Sequence, residues 1–221
     1  MKAFVIRPCF DDATRVTSKW GGKIIPLLRK KGLDVVDLSG NKANRDRIMR
    51  ELENDHLNNG LFLFYGHGSD DRFIQRSELK DGEHTLKWFI DTQNVKLLKN
   101  KIVFTTCCLS GLILRQACID EGGLAFLGYQ DVFRFFSSPP LSDNFGECVN
   151  SGIKALLGGQ DIYQVEQTMR TKYLEYEQFY YTGVGYNEYE FLSYDIADTF
   201  RHNKENLVVL SRDRQSVKLW D

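Results

Sequence analysis

A chain of 221 residues with 42% hydrophobic and 27% charged residues has the composition of an ordinary globular protein, long enough for one sizeable hydrophobic core. Its 29 basic and 30 acidic residues are interspersed and sum to a net charge of -1, so no global field recruits nucleic acid or an anionic membrane. No apolar run approaches the roughly 20 residues that span a bilayer, the opening segment is too short for a secretory signal, and Cys9, Cys107, Cys108, Cys118 and Cys148 lack Cys-x-x-Cys spacing, so the expectation is reduced thiols, no structural zinc and a cytoplasmic location.

In chain order, short β-like runs alternate with helical stretches, the rhythm of a mostly parallel sheet covered by helices. Residues 2–6 predict the first strand, 17–31 a helix ending at Gly32, and 34–38 the second strand. Residues 44–55 carry Ile48, Met49 and Leu52 at the spacing of one helix face. Residues 61–65, Leu-Phe-Leu-Phe-Tyr, are apolar on both faces, as a central parallel strand requires. A polar excursion with a small hairpin is expected over 70–83, a fourth strand over 101–106, a helix over 111–121 and a fifth strand over 124–128. After Pro139-Pro140 the pattern turns helical, over 141–156, 161–180 and 188–202, and 207–210 reads as an edge strand.

Two glycine-flanked reactive residues follow two of these apolar strands: His67 in Gly66-His67-Gly68-Ser69, and Cys108 in Cys107-Cys108-Leu109-Ser110-Gly111. In an open α/β sheet the carboxyl edge is where ligands bind, because the loops there converge on a crevice. A thiol nucleophile, an imidazole that moves its proton and backbone N–H groups aimed at an oxyanion are the parts of acyl transfer. Cys108 and His67 supply the first two, and the N–H groups of Gly68 and Cys108 are the candidate oxyanion hole. Cys108 also precedes a predicted helix start, which favours a thiolate.

These two blocks, Phe62-Leu63-Phe64-Tyr65-Gly66-His67-Gly68-Ser69 and Ile102-Val103-Phe104-Thr105-Thr106-Cys107-Cys108-Leu109-Ser110-Gly111, resemble the caspase–gingipain–legumain clan of cysteine peptidases. The stretch Gly122-Gly123-Leu124-Ala125-Phe126-Leu127-Gly128-Tyr129 is similar to gingipain-like and CHAT domains. The resemblance spans about residues 1–175. It implies one caspase-like domain over 1–221, with a core over about 1–175 and a helical extension with an edge strand over about 176–221. The implied fold is α/β and doubly wound, with a mostly parallel six-stranded sheet. The implied activity is peptide-bond hydrolysis by a His67/Cys108 dyad, with no metal or cofactor. The substrate is a protein or peptide, and control comes from an activating protein partner or self-assembly. Neither nucleic acid nor membrane is an expected partner.

Cys107 competes with Cys108 for the nucleophile. Counting back from Gly111 selects Cys108, since Cys-x-x-Gly is the clan's spacing and Cys107 falls where alanine is usual. The Gln-Ala-Cys-x-Gly pentapeptide of true caspases is absent, so aspartate specificity is not carried over. Asp131, just beyond the fifth strand, is a candidate for favouring a basic residue before the cut, set against its being a solvated loop carboxylate. His56, His84 and His202 read as surface histidines, and Cys9, Cys118 and Cys148 as structural. Two other readings stay open: a catalytically silent caspase-like regulatory module, and a redox protein using the vicinal cysteines.

Overall fold

The computed structural model describes residues 1–55, 58–80, 83–214 and 216–220, and the backbone alone over 76–80, 83–86 and at 214. His56 and the side chain of His84 lie outside the described residues. Fifteen elements are used below: β1 (Lys2–Arg7), α1 (Asp12–Lys30), β2 (Asp34–Ser39), α2 (Arg45–Glu53), β3 (Gly60–Phe64), β4 (Arg72–Lys80), β5 (Glu83–Asp91), β6 (Lys101–Thr105), α3 (Ile113–Asp120), β7 (Ala125–Tyr129), α4 (Leu141–Leu157), α5 (Ile162–Thr182), α6 (Val184–Glu188), α7 (Ser193–Asn206) and β8 (Leu207–Ser211).

Six strands form one sheet in the order β2-β1-β3-β6-β7-β8, parallel except for β8, which pairs antiparallel with β7 at one edge. The doubly wound class and the edge strand are therefore as expected from the sequence. Because side chains alternate along a strand, each strand feeds two cores. Ala3, Val5, Leu61, Leu63, Ile102, Phe104 and Leu127 pack with Trp20, Ile24 and Leu28 of α1 and with Phe145, Val149 and Ile153 of α4. The alternate residues Phe4, Ile6, Phe62, Phe64, Val103 and Phe126 face the other way, against Ile48 and Leu52 of α2 and Leu114 and Cys118 of α3.

β4 and β5 form a separate antiparallel hairpin whose Phe73 and Phe89 close that second core. Phe73 stacks on Phe62 at 5.9 Å, and Phe64 meets Phe89 edge-on at 5.2 Å. Aromatic pairs of this kind add about 0.5–1.5 kcal/mol each beyond the area they bury. At the amino edge of the sheet, Lys101 is fully buried and its ammonium donates to the carbonyls of Asp55 (2.8 Å) and Asn58 (2.5 Å), with the Asp55 carboxylate 3.3 Å away.

Three boundaries differ from the sequence reading. α1 begins at Asp12 rather than 17, because Asp11 and Thr14 form a reciprocal capping box that starts the helix a turn and a half earlier. The excursion after His67 is an antiparallel pair of strands reaching Asp91, with its register shifted on either side of Ile74. The helix expected over 188–202 starts only at Ser193, as α7, and a short helix not expected from the sequence, α6, precedes it and ends at Glu188. A boundary near residue 175 falls inside α5, and β8, from the last part of the chain, is a strand of the central sheet. No described helix is long and apolar enough to cross a membrane.

Candidate active site

The strand order turns at β1: the chain leaves β1 for β2 on one side and returns as β3 on the other. The carboxyl ends of β1 and β3 thus flank the topological switch point, the crevice where open α/β sheets bind ligands. Asp11 follows β1 and His67 follows β3, and they meet there: His67 Nε2 lies 2.8 Å from Asp11 Oδ2. Asp11 is fixed from its other side. As the N-cap of α1 it accepts the Thr14 N–H at 2.7 Å, and its own N–H donates to Thr14 Oγ1 at 3.0 Å. The Phe10 ring lies 5.7 Å from the imidazole.

Burial pushes the Asp11 carboxyl up, but the Thr14 N–H, the Thr14 hydroxyl and His67 outweigh it, and the net position is below the ordinary 3.8. Ionised, Asp11 only accepts, so Nε2 must carry the proton of a neutral His67. Nδ1 is then the basic nitrogen, and among the described residues it has no hydrogen-bond partner.

Cys108 stands at the matching height on the neighbouring strand. The register pairs Phe64 with Thr105, and Thr106 N–H continues the ladder to the Phe64 carbonyl, so His67 and Cys108 are each three residues beyond the same rung. Immediately after Cys108 the backbone reverses through Leu109, which holds φ at 59°. A non-glycine residue in this left-handed region costs about 1–2 kcal/mol. The reversal is held by Leu109 N–H to the Asp131 carbonyl (3.2 Å) and Gly111 N–H to the Tyr129 carbonyl (2.8 Å). Gly111 has no alternative here, since a Cβ would lie 2.4 Å from Val208.

The two cysteines diverge. Cys107 is buried in the α2/α3 core, its Sγ 2.7 Å from Thr105 Oγ1, and burial pushes its thiol up to about 12. Cys108 packs half-buried against the other core. Burial raises its thiol above the ordinary 9.0, the Phe133 N–H and its own N–H lower it in part, and Asp131 raises it further. The expected help from a helix N-terminus is absent, because α3 starts only at Ile113, beyond the Leu109 reversal. No hydrogen bond joins His67 to Cys108.

Gly68 faces Phe73 across an isolated antiparallel bridge whose hydrogen bonds run from Ile74 to the His67 carbonyl and from Ser69 to the Arg72 carbonyl. That leaves the Gly68 N–H without a backbone acceptor among the described residues, directed away from the bridge. The glycine itself is demanded from below: a Cβ would lie 2.7 Å from Cys107 Sγ. Asp131 is half-exposed, and its carboxylate accepts the Val132 N–H at 2.6 Å while its carbonyl serves Leu109.

Sequence reasoning missed Asp11, Leu109 and Phe133. Only Asp11 left a signal, the Asp-x-x-Thr box ahead of an apolar helix face. The structure brings His67 together with Asp11, and Cys108 with Asp131 and Phe133, along one sheet edge. Neither a protein-family model, nor a curated protein, nor a solved structure matches the chain.

Proposed function

We propose that the chain is a cysteine endopeptidase of caspase-like type in which His67, oriented by Asp11, activates Cys108. The observation that supports this most is the 2.8 Å Asp11–His67 hydrogen bond at the switch point, level with Cys108 on the adjacent strand end. A carboxylate that fixes the imidazole tautomer, and a thiol that follows the end of the neighbouring strand, are the parts of a nucleophile, a base and its orienting group.

In the proposed reaction Nδ1 of His67 takes the proton from Cys108 Sγ as sulfur bonds to the scissile carbonyl carbon. The electron pair of the C=O bond moves to oxygen, which the N–H groups of Gly68 and Cys108 stabilise. When the C–N bond breaks, the imidazolium returns its proton to the leaving amine, and water then hydrolyses the thioester. Because burial holds the Cys108 thiol above 9.0, the resting residue is a thiol and proton removal accompanies attack. No metal or cofactor enters this chemistry. A protein or peptide is the substrate, and an activating partner or self-assembly supplies control by bringing His67 and Cys108 into hydrogen-bond reach.

The test is hydrolysis of a fluorogenic peptide library by wild type, His67→Ala and Cys108→Ala. Turnover in wild type, lost on the order of 10²-fold or more in both variants, is the expected result; equal turnover in Cys108→Ala overturns the reading. A second reading, a caspase-like regulatory module without turnover, is supported by the half-buried Cys108 and its missing bond to His67. Full biological effect in Cys108→Ala would favour it.

A further inference from the structure

Seven of the twelve large apolar side chains exposed among the described residues fall between 174 and 194, on α5, α6, the segment that joins α6 to α7, and the start of α7. Phe191 is 95% exposed and Val184 73%. Side chains of this size standing together in water mark an interaction surface, whereas the same residues scattered singly need no explanation. Tyr194 gathers two further rings, Tyr181 at 5.3 Å and Tyr186 at 5.8 Å. Beside them runs a groove of about 540 Å³ between α5 and α7, lined by Leu174, Gln178, Tyr181, Tyr194, Asp195 and Asp198.

The charge of this face is mainly negative, although Arg201 also lines the groove. Residues 173–200 contain six carboxylates and no lysine or arginine. Cations from outside the stretch answer three of them: Lys172 pairs with Glu175 at 2.5 Å, Lys204 with Glu177, and Arg201 with Asp198. Glu188, Glu190 and Asp195 are exposed and face no cation among the described residues. They flank the most exposed apolar side chains, Val184, Phe191 and Tyr194.

We propose that this face of α5, α6 and α7 docks a segment of another protein that carries lysine or arginine beside aliphatic or aromatic anchors. A second copy of the same surface is disfavoured, because a two-fold interface would set this acidic patch against its own copy. Anionic membrane and nucleic acid are repelled by the same charges. The complementary partner supplies anchors for the groove and the tyrosine cluster, and cations for the three unanswered carboxylates.

The test titrates the full chain calorimetrically with a helical amphipathic peptide of lysine and leucine, about five turns or roughly 18 residues long. Peptides of the same length with glutamate for lysine, and with serine for leucine, serve as comparisons. The expected result is one-to-one binding of the Lys/Leu peptide that weakens as salt is raised. It is lost at least about tenfold in V184S/F191S and in E188K/E190K/D195K. It is unchanged in L112S/I113S, which removes two exposed apolar side chains elsewhere. Every substituted residue is exposed, and since Asp195 lies in the first turn of α7, a cooperative melt of each variant is the control for folding. Equal binding of the Glu/Leu or Lys/Ser peptide, or wild-type affinity in the surface variants, overturns the proposal. So does a concentration-dependent dimer in sedimentation that F191S dissolves, since the surface would then serve a second copy.

Discussion

Asp11 does two jobs that a single substitution can separate. As an N-cap it starts α1, and as a carboxylate it accepts from His67. Asparagine caps a helix about as well as aspartate but carries no charge, whereas alanine does neither. Asp11→Ala is therefore expected to lose roughly 1 kcal/mol of stability through the cap, and both variants to lose turnover by roughly 10²-fold through a misoriented imidazole. Parallel melting and kcat/KM measurements distinguish the two effects. As an ion pair the contact itself contributes little, since both side chains are about two-fifths exposed. The sign of its pH dependence is nonetheless fixed. A carboxyl lowered below 3.8 in the folded chain contributes stability that is present above 3.8 and fades as the pH falls through the lowered value, so acid titration of stability should be shallower in Asp11→Asn. The His-Gly and Cys-x-x-Gly blocks were legible because each is a local run at a strand end. Asp11 was not, because its partner lies 56 residues away and only the strand order joins them.

Between elements, two contacts control the geometry of the site. Gly68 sits over Cys107, and Gly68→Ala drives a methyl group to within 2.7 Å of its Sγ and 3.0 Å of the Arg72 carbonyl. Overpacking of this kind costs about 1–3 kcal/mol, and the His67 loop should shift with it. Calorimetric melting checks the first effect and peptide turnover the second. On the other flank α7 grips the segment after β7: buried Asn203 accepts the Arg134 N–H at 3.0 Å and donates to the Arg134 carbonyl at 2.6 Å, and His202 Nε2 donates to the Val132 carbonyl at 2.8 Å. His202, read from the sequence as a surface histidine, makes this bond from a partly exposed position. The segment it holds includes Phe133, whose N–H faces the Cys108 thiol. Asn203→Ala should cost about 1–3 kcal/mol in unsatisfied backbone groups and change the rate at which iodoacetamide modifies Cys108. An unchanged rate would uncouple α7 from the site. The pattern of strands and long helices was legible from periodicity. The short α6 and the late start of α7 were not, because five residues carry little periodicity and the aromatic residues around them continue without a proline to mark a boundary.

At the scale of the molecule, the C-terminal part does more than extend a finished core. β8 covers the edge of β7, and Phe200 of α7 lies 4.0 Å from Phe145 of α4, with rings 4° from parallel, and 5.7 Å from Tyr180 of α5. Deleting residues 176–221 is expected to leave a chain without a cooperative melt, as followed by circular dichroism; a cooperative monomer would contradict this. The same architecture sorts the five thiols. Cys107, Cys118 and Cys148 are buried in the two cores, Cys9 is exposed and Cys108 stands between. The sheet order made the sequence expectation for the strands sound, since alternating βα units leave few topologies. It could not tell how deeply each thiol would sit, which depends on packing from both faces.

The central claim is that Cys108, served by His67, is the nucleophile, and intact-mass labelling with a panel of peptidyl acyloxymethyl ketones addresses it most directly. Wild type, Cys107→Ala, Cys108→Ala and His67→Ala are compared, alone and with a candidate activating partner. A single adduct is expected that survives Cys107→Ala and disappears in the other two. An adduct retained in Cys108→Ala, or none in wild type under any condition, would contradict it.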